Sequence, residues 1–97
     1  MTYKISVTQE HINRGKREDC AACPIALAAH EHDYLRCALI LRDSVWVHGV
    51  KLTTLPIDAR QFMTRFDKHC VVHPLTFDLN VSDEAIAEVK YRCFDGH

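Results

Sequence analysis

Apolar residues recur along this chain with two spacings, every second residue and about every 3.6 residues, and the two patterns alternate from one segment to the next. A chain patterned in this way must bury one face of several strands and one stripe of several helices in a common core. "YKISVT" (residues 3–8) alternates, with Tyr3, Ile5 and Val7 on one face and Lys4, Ser6 and Thr8 on the other, and reads as a half-buried strand. Thr8 is suited to cap a short helix that carries Glu10 in its first turn and ends at Gly15. "KRED" (residues 16–19) reads as a solvated joint. A second helical piece then runs from Pro24, which fits a first helical turn, to about His32.

"YLRCALILR" (34–42) reads as a strand with Leu35, Cys37, Leu39 and Leu41 on one face, and "VWVHGVKL" (45–52) as a second strand returning after a turn at Asp43 and Ser44. Leu55, Ala59, Phe62, Met63 and Phe66 then form a helical stripe that Pro56 opens, with Asp58 in its first turn and Lys68 and His69 at its negative end. Residues 71–79 alternate again, with Val71, His73, Leu75, Phe77 and Leu79 together, although Pro74 cannot donate to a ladder and marks an edge or an interruption. Ser82 caps a last helix with Asp83 and Glu84 early, Ile86, Val89 and Cys93 at helical spacing, and Gly96 at its end. The expected order is β-α-β-β-α-β with an added C-terminal helix. That is an α+β, ferredoxin-like fold with helices on one face of a four-stranded antiparallel sheet, in one domain spanning 1–97.

Composition narrows the function classes. With 12 Lys and Arg against 13 Asp and Glu, the chain lacks the basic excess that holds a phosphate backbone, so nucleic acid is not the expected partner. An RNA-recognition sheet would stack bases on central-strand aromatics; Tyr3 and Trp46 occupy strands, but the glycine- and aromatic-rich signature of those modules is missing. No apolar run spans a bilayer and no leader-like segment opens the chain, so a cytoplasmic protein is expected. Five cysteines, an odd number, agree with a reducing compartment.

Cysteine and histidine carry the candidate chemistry. Cys20 and Cys23 have the spacing of a zinc half-site, Cys70 and His73 make a second, and the expected topology brings both to one end of the sheet. His11, His30 and His32 are alternative fourth ligands. The competing reading is structural, because cysteine also packs as a small apolar residue, as Cys37 is expected to do. A Cys-x-x-Cys at a helix start also resembles a thioredoxin-like redox site, yet the strand order differs and Pro24 follows the pair instead of lying inside it. His11 beside Glu10, and His48 near Trp46, are proton-transfer pairs only if the fold supplies a pocket. No Gly-rich phosphate loop, nucleophile elbow or paired-carboxylate motif is present, and no enzymatic activity is expected.

The stretches "SVTQEHINRG…DCAACPIALAA" and "FMTRFDKHCVVHPLTFDL" resemble a family of short uncharacterised proteins encoded by bacteriophages and prophages. Its pattern combines "I-x-V-T-x-x-H-I-x-x-G", "C-P-[IV]-A-L-A", "R-F-D" and "P-x-x-F-x-L". The resemblance covers about residues 4–79, includes Cys23 and Pro24, and leaves the last helix unmatched. It implies a small accessory protein that binds a host protein or complex, antiphage defence included, in the host cytoplasm. Lys16, Arg17, Glu18, Asp19 and Trp46 are the expected partner-binding residues, with the Asp43–Ser44 turn and the last helix as further contact surfaces. Apart from the zinc alternative no cofactor is expected, and a homodimer is left open.

Overall fold

The computed structural model describes residues 1–95, and side chains as far as Tyr91. The elements are β1 (Thr2–Val7), α1 (Gln9–Arg14), α2 (Pro24–Ala29), β2 (Leu39–Leu41), β3 (Ser44–Val47), β4 (Val50–Thr54), α3 (Ile57–Asp67), β5 (Leu75–Asn80) and α4 (Asp83–Asp95), with a 3-10 turn at Asp33–Leu35 before β2. The α+β class is the one expected, but the ferredoxin-like arrangement is not what the described strands form. In place of one four-stranded sheet there are two: β1 pairs with β5, and β2, β3 and β4 form a separate antiparallel meander.

The β1–β5 pair is antiparallel and unbroken from Thr2 opposite Asn80 to Val7 opposite Leu75. Beyond it, the amino group of Met1 donates to the Val81 carbonyl at 2.7 Å and the Val81 N–H donates to the Met1 carbonyl at 2.8 Å. Tyr3, Ile5 and Val7 on β1 and Phe77 and Leu79 on β5 point into the core, and the residues between them face solvent. The expected strand over 71–79 is shortened by Pro74, which has no N–H to give a ladder. Val71 and His73, assigned to the buried face, are exposed, Val71 at 79%.

Thr8 caps α1 as expected, and the cap is reciprocal. Thr8 Oγ1 accepts from the His11 N–H at 3.4 Å, and His11 Nδ1 accepts from the Thr8 N–H at 3.0 Å. Cys23 caps α2, its Sγ accepting from the Ala26 N–H at 3.4 Å, and Pro24 begins the helix. This helix buries Ile25, Ala26, Ala28 and Ala29 and stops at Ala29, short of the expected His32.

The middle of the chain departs furthest from the sequence pattern. Residues 34–42 are not one strand: a 3-10 turn buries Leu35, Cys37 is exposed, and only Leu39–Leu41 pairs. Ile40 faces the core while Leu41 faces out, the reverse of the expected assignment. Residues 45–52 are not one strand either. His48 and Gly49 have φ of 50° and 79°, the left-handed pair of a two-residue hairpin, so β3 turns back into β4. Helix α3 keeps its stripe, with Ala59, Phe62 and Phe66 buried and Met63 partly so. Helix α4 begins with Ser82 Oγ accepting from the Ala85 N–H at 3.1 Å and buries Ile86 and Val89. The Cys93 side chain and Gly96 lie outside the described residues.

One cluster of buried side chains draws on both sheets and on α2, α3 and α4. Its tightest joint is where α1 ends against the start of α2. Gly15 has an ordinary φ of −67°, so conformational freedom does not select glycine there. A Cβ on Gly15 would lie 2.6 Å from both Cγ and Cδ of Pro24, and the rigid ring cannot yield. Gly15→Ala is therefore expected to lower unfolding stability by about 1–3 kcal/mol, read as a lower urea midpoint with unchanged slope.

Candidate interaction surface

The four expected metal ligands occupy separate places. Cys23 is buried under the start of α2. Cys20 lines a depression with Glu18, Arg42, Met63 and Asp67; Cys70 lines another with Gly15, Arg17 and Phe66; and His73 lines a groove between α3 and the approach to β5. Among the described residues no three His, Cys, Asp or Glu side chains are placed to share a metal ion. The alternative ligands are engaged elsewhere: His30 Nε2 donates to the Ala38 carbonyl at 2.9 Å and His32 Nε2 to the Lys4 carbonyl at 3.0 Å.

His11 pairs with Glu31 (Nε2 to Oε2, 3.1 Å) and not with Glu10, which instead meets Arg14 at 3.2 Å. With Thr8 Oγ1 at 3.2 Å from His11 Nδ1, the set Thr8, His11 and Glu31 has the connectivity of a hydroxyl–imidazole–carboxylate relay. The Thr8 backbone N–H, however, already donates to Nδ1, the atom that would have to take the hydroxyl proton, and Thr8 Oγ1 accepts from the His11 N–H. His11 is 6% exposed. The helix cap accounts for each of these atoms.

The Cys23 thiol is pushed up to about 11 by burial, which outweighs the N–H groups of Ala26 and Ile25 that favour the thiolate. A redox thiol needs the opposite shift.

The "KRED" segment is exposed at residues 16–18, as expected of a solvated joint, and is also tied to the end of α3. Arg17 Nε donates to the Phe66 carbonyl at 3.1 Å while its guanidinium lies 5.1 Å above the Phe66 ring. The Glu18 N–H donates to Asp67 Oδ1 at 3.1 Å, from a backbone held at φ 55°. Asp19 Oδ1 accepts from the N–H groups of Ala21 and Ala22, at 3.0 and 3.1 Å. Lys16 is fixed through its backbone to the Ala22 carbonyl at 2.8 Å. The segment straps the end of α3, so its arginine and aspartate work chiefly within the molecule.

Trp46 has a different setting. The register pairs Leu39 with Trp46 and Leu41 with Ser44, so these four side chains share the face of the meander opposite Ile40, Val45 and Val47, which enter the core. Trp46 and Leu39 are half-buried, and Leu41 is 42% exposed. A depression beside them is lined by Leu41, Arg42, Asp43, Ser44 and Trp46. On the other side of Trp46, a bulge between Val45 and Trp46 sets exposed Lys51 opposite the ring. The result is an aromatic centre with two leucines and a charged rim of Arg42, Asp43 and Lys51, a composition typical of protein contacts. Trp46 and Asp43 were legible as surface candidates, whereas Ser44, expected at the surface in the same turn, is buried at 6% exposure. Leu39 and Leu41 were missed because alternation across 34–42 assigned them inward, and Pro-free, Gly-free sequence gave no sign of the 3-10 turn that shifts the phase.

Because Cys23 binds its proton more tightly when folded, its contribution is fully present below the unfolded value of 9.0 and is lost as pH rises through about 11. Over that window wild type is expected to lose about 3 kcal/mol that a Cys23→Ser variant does not lose, seen as converging urea midpoints. At neutral pH a thiol-alkylating reagent should spare Cys23 in the native protein while modifying exposed Cys37 and Cys70.

No helix among the described residues is long and apolar enough to cross a membrane. No family model, curated protein or solved structure matches the chain.

Proposed function

We propose that this chain is a small non-enzymatic protein-binding module that docks through the outer face of its three-stranded meander. The observation that carries the reading is Trp46, half-buried opposite Leu39 and diagonal to Leu41 on the sheet face turned away from the core, with Arg42, Asp43 and Lys51 at its margins. Rigid strands and two-residue turns hold that face in one conformation, which reduces the ordering cost of binding. Interfaces draw most of their energy from such an aromatic centre screened from water by surrounding contacts. The sequence resemblance to short phage-encoded proteins supplies the setting: the partner is a host protein or complex, a component of antiphage defence being the leading class, met in the host cytoplasm.

The test compares capture from bacterial host lysate by the wild type, a Trp46→Ala/Leu41→Asp variant and a Thr64→Ser control on the exposed side of α3. The expected outcome is one stoichiometric partner retained by wild type and control. The double variant should weaken binding by at least about 2 kcal/mol, roughly thirtyfold in Kd, while melting near the wild-type temperature. Failure to recover a stoichiometric partner, or equal recovery by the double variant, overturns the proposal.

A further inference from the structure

Strand edges present N–H and C=O groups that pair readily with another strand, and folded proteins block them. The two sheets here have four outer edges, and on two of them a hydrogen bond from elsewhere in the chain occupies an outward group. On β2 the outward Ile40 N–H donates to the Cys20 carbonyl at 2.9 Å. On β1 the Lys4 carbonyl accepts from His32, and α2 packs alongside. Helix α4 contacts β4 and helix α3 contacts β5.

Strand β5 offers a longer edge. Met1 and Val81 exchange both hydrogen bonds, and they continue the register of the β1–β5 pair. Antiparallel alternation then directs the backbone groups of Leu75, Phe77 and Leu79 toward β1 and those of Thr76, Asp78 and Asn80 outward. The same alternation correctly makes Lys4 an outward residue on β1, where His32 finds its carbonyl. No described residue bonds the outward backbone groups of Thr76, Asp78 or Asn80. The strand is six residues long, contains no proline and no bulge, and so lacks two of the usual protections.

We infer that β5 is a self-pairing edge, and that two copies of this chain join β5 to β5 antiparallel about a two-fold axis into one four-stranded sheet. The outward residues decide the register. Asp78 opposite its own copy would set two carboxylates face to face, which is destabilising. Pairing Asp78 with Asn80 would carry the ladder past Val81 into the start of α4. Centring the axis at Phe77 pairs residues 75–79 of the two strands, leaves Asn80 opposite Pro74, and sets each Asp78 opposite a Thr76 hydroxyl. Phe77 then lies beside its copy, and half-buried Leu75 faces Leu79 of the other chain. The Thr76–Asp78 exchanges supply roughly four main-chain hydrogen bonds. The groove at the start of β5, floored by Phe62, Val72 and Leu75, offers apolar surface for the second copy to cover. None of this depends on the Trp46 face.

Sedimentation velocity of the full-length chain over a concentration series tests the pairing. Wild type should run as a dimer that dissociates on dilution. Thr76→Pro removes an outward N–H without touching the β1 ladder, and should give a monomer with unchanged far-ultraviolet circular dichroism. Two further substitutions read the register: Thr76→Lys, facing Asp78 of the second copy, should tighten the dimer about tenfold, and Thr76→Asp should loosen it about tenfold. A wild type monomeric at every concentration overturns the inference, including the case in which a foreign strand occupies the edge. So does a dimer that survives Thr76→Pro, or lysine and aspartate at 76 shifting Kd in the same direction. If Thr76→Pro unfolds the chain, the lysine and aspartate pair decides alone.

Discussion

The pairing of β1 with β5 is the constraint on which the rest depends. It joins residues 78 positions apart, Thr2 to Asn80, into a ladder that Met1 and Val81 lengthen. Side chains from its inner face, among them Ile5, Val7, Phe77 and Leu79, supply one wall of the core. Helix α2 packs on β1 and α3 on β5, so both helices find their places from that pair. The meander is positioned less directly, through α2 on β2, α4 on β4 and the Cys20–Ile40 hydrogen bond. Two small sheets sharing one core is the result. The two-stranded β1–β5 ladder is too narrow to be stable without the apolar cover that the rest of the core gives its inner face.

The polar chemistry that drew attention in the sequence is largely spent on holding chain ends and turns. His11 completes the cap of α1, Cys23 caps α2, and His30 and His32 donate to carbonyls that would otherwise lack partners. A small fold with short helices leaves many terminal N–H and C=O groups to satisfy. Imidazole and thiol serve here where serine, asparagine or glutamate more often would. The buried side-chain nitrogen and oxygen atoms of the described residues all have partners, which fits a molecule whose histidines stabilise structure.

Legibility in the sequence tracked the reach of the interactions involved. Strand β1, the Thr8 cap, Pro24 at the start of α2 and the apolar stripe of α3 are fixed by neighbours within a few residues, and all were readable. The α+β class followed from them. The division into two sheets did not, because strand partnership depends on contacts across the whole chain. Residues 34–42 misled for a definite reason: a 3-10 turn consumed the first part of an alternating pattern, and the remaining three residues paired with the opposite face inward. "VWVHGVKL" misled because His48 in a left-handed conformation is uncommon, though His-Gly held a hairpin turn in view. At the surface, Trp46 was found from residue type alone. Its leucine neighbours needed the register.

The two-residue turns at Arg42–Asp43 and His48–Gly49 have a consequence for the order of assembly. Each hairpin closes a loop of only a few residues, whereas β1 cannot complete its ladder until almost eighty residues are present. During synthesis the meander is thus able to form while β1 waits, with Ile5 and Val7 still in water. Strand β1 is made well before the partner that buries it. Its alternation with Lys4, Ser6 and Thr8 then serves a second purpose, keeping a nascent apolar segment soluble until its distant partner emerges.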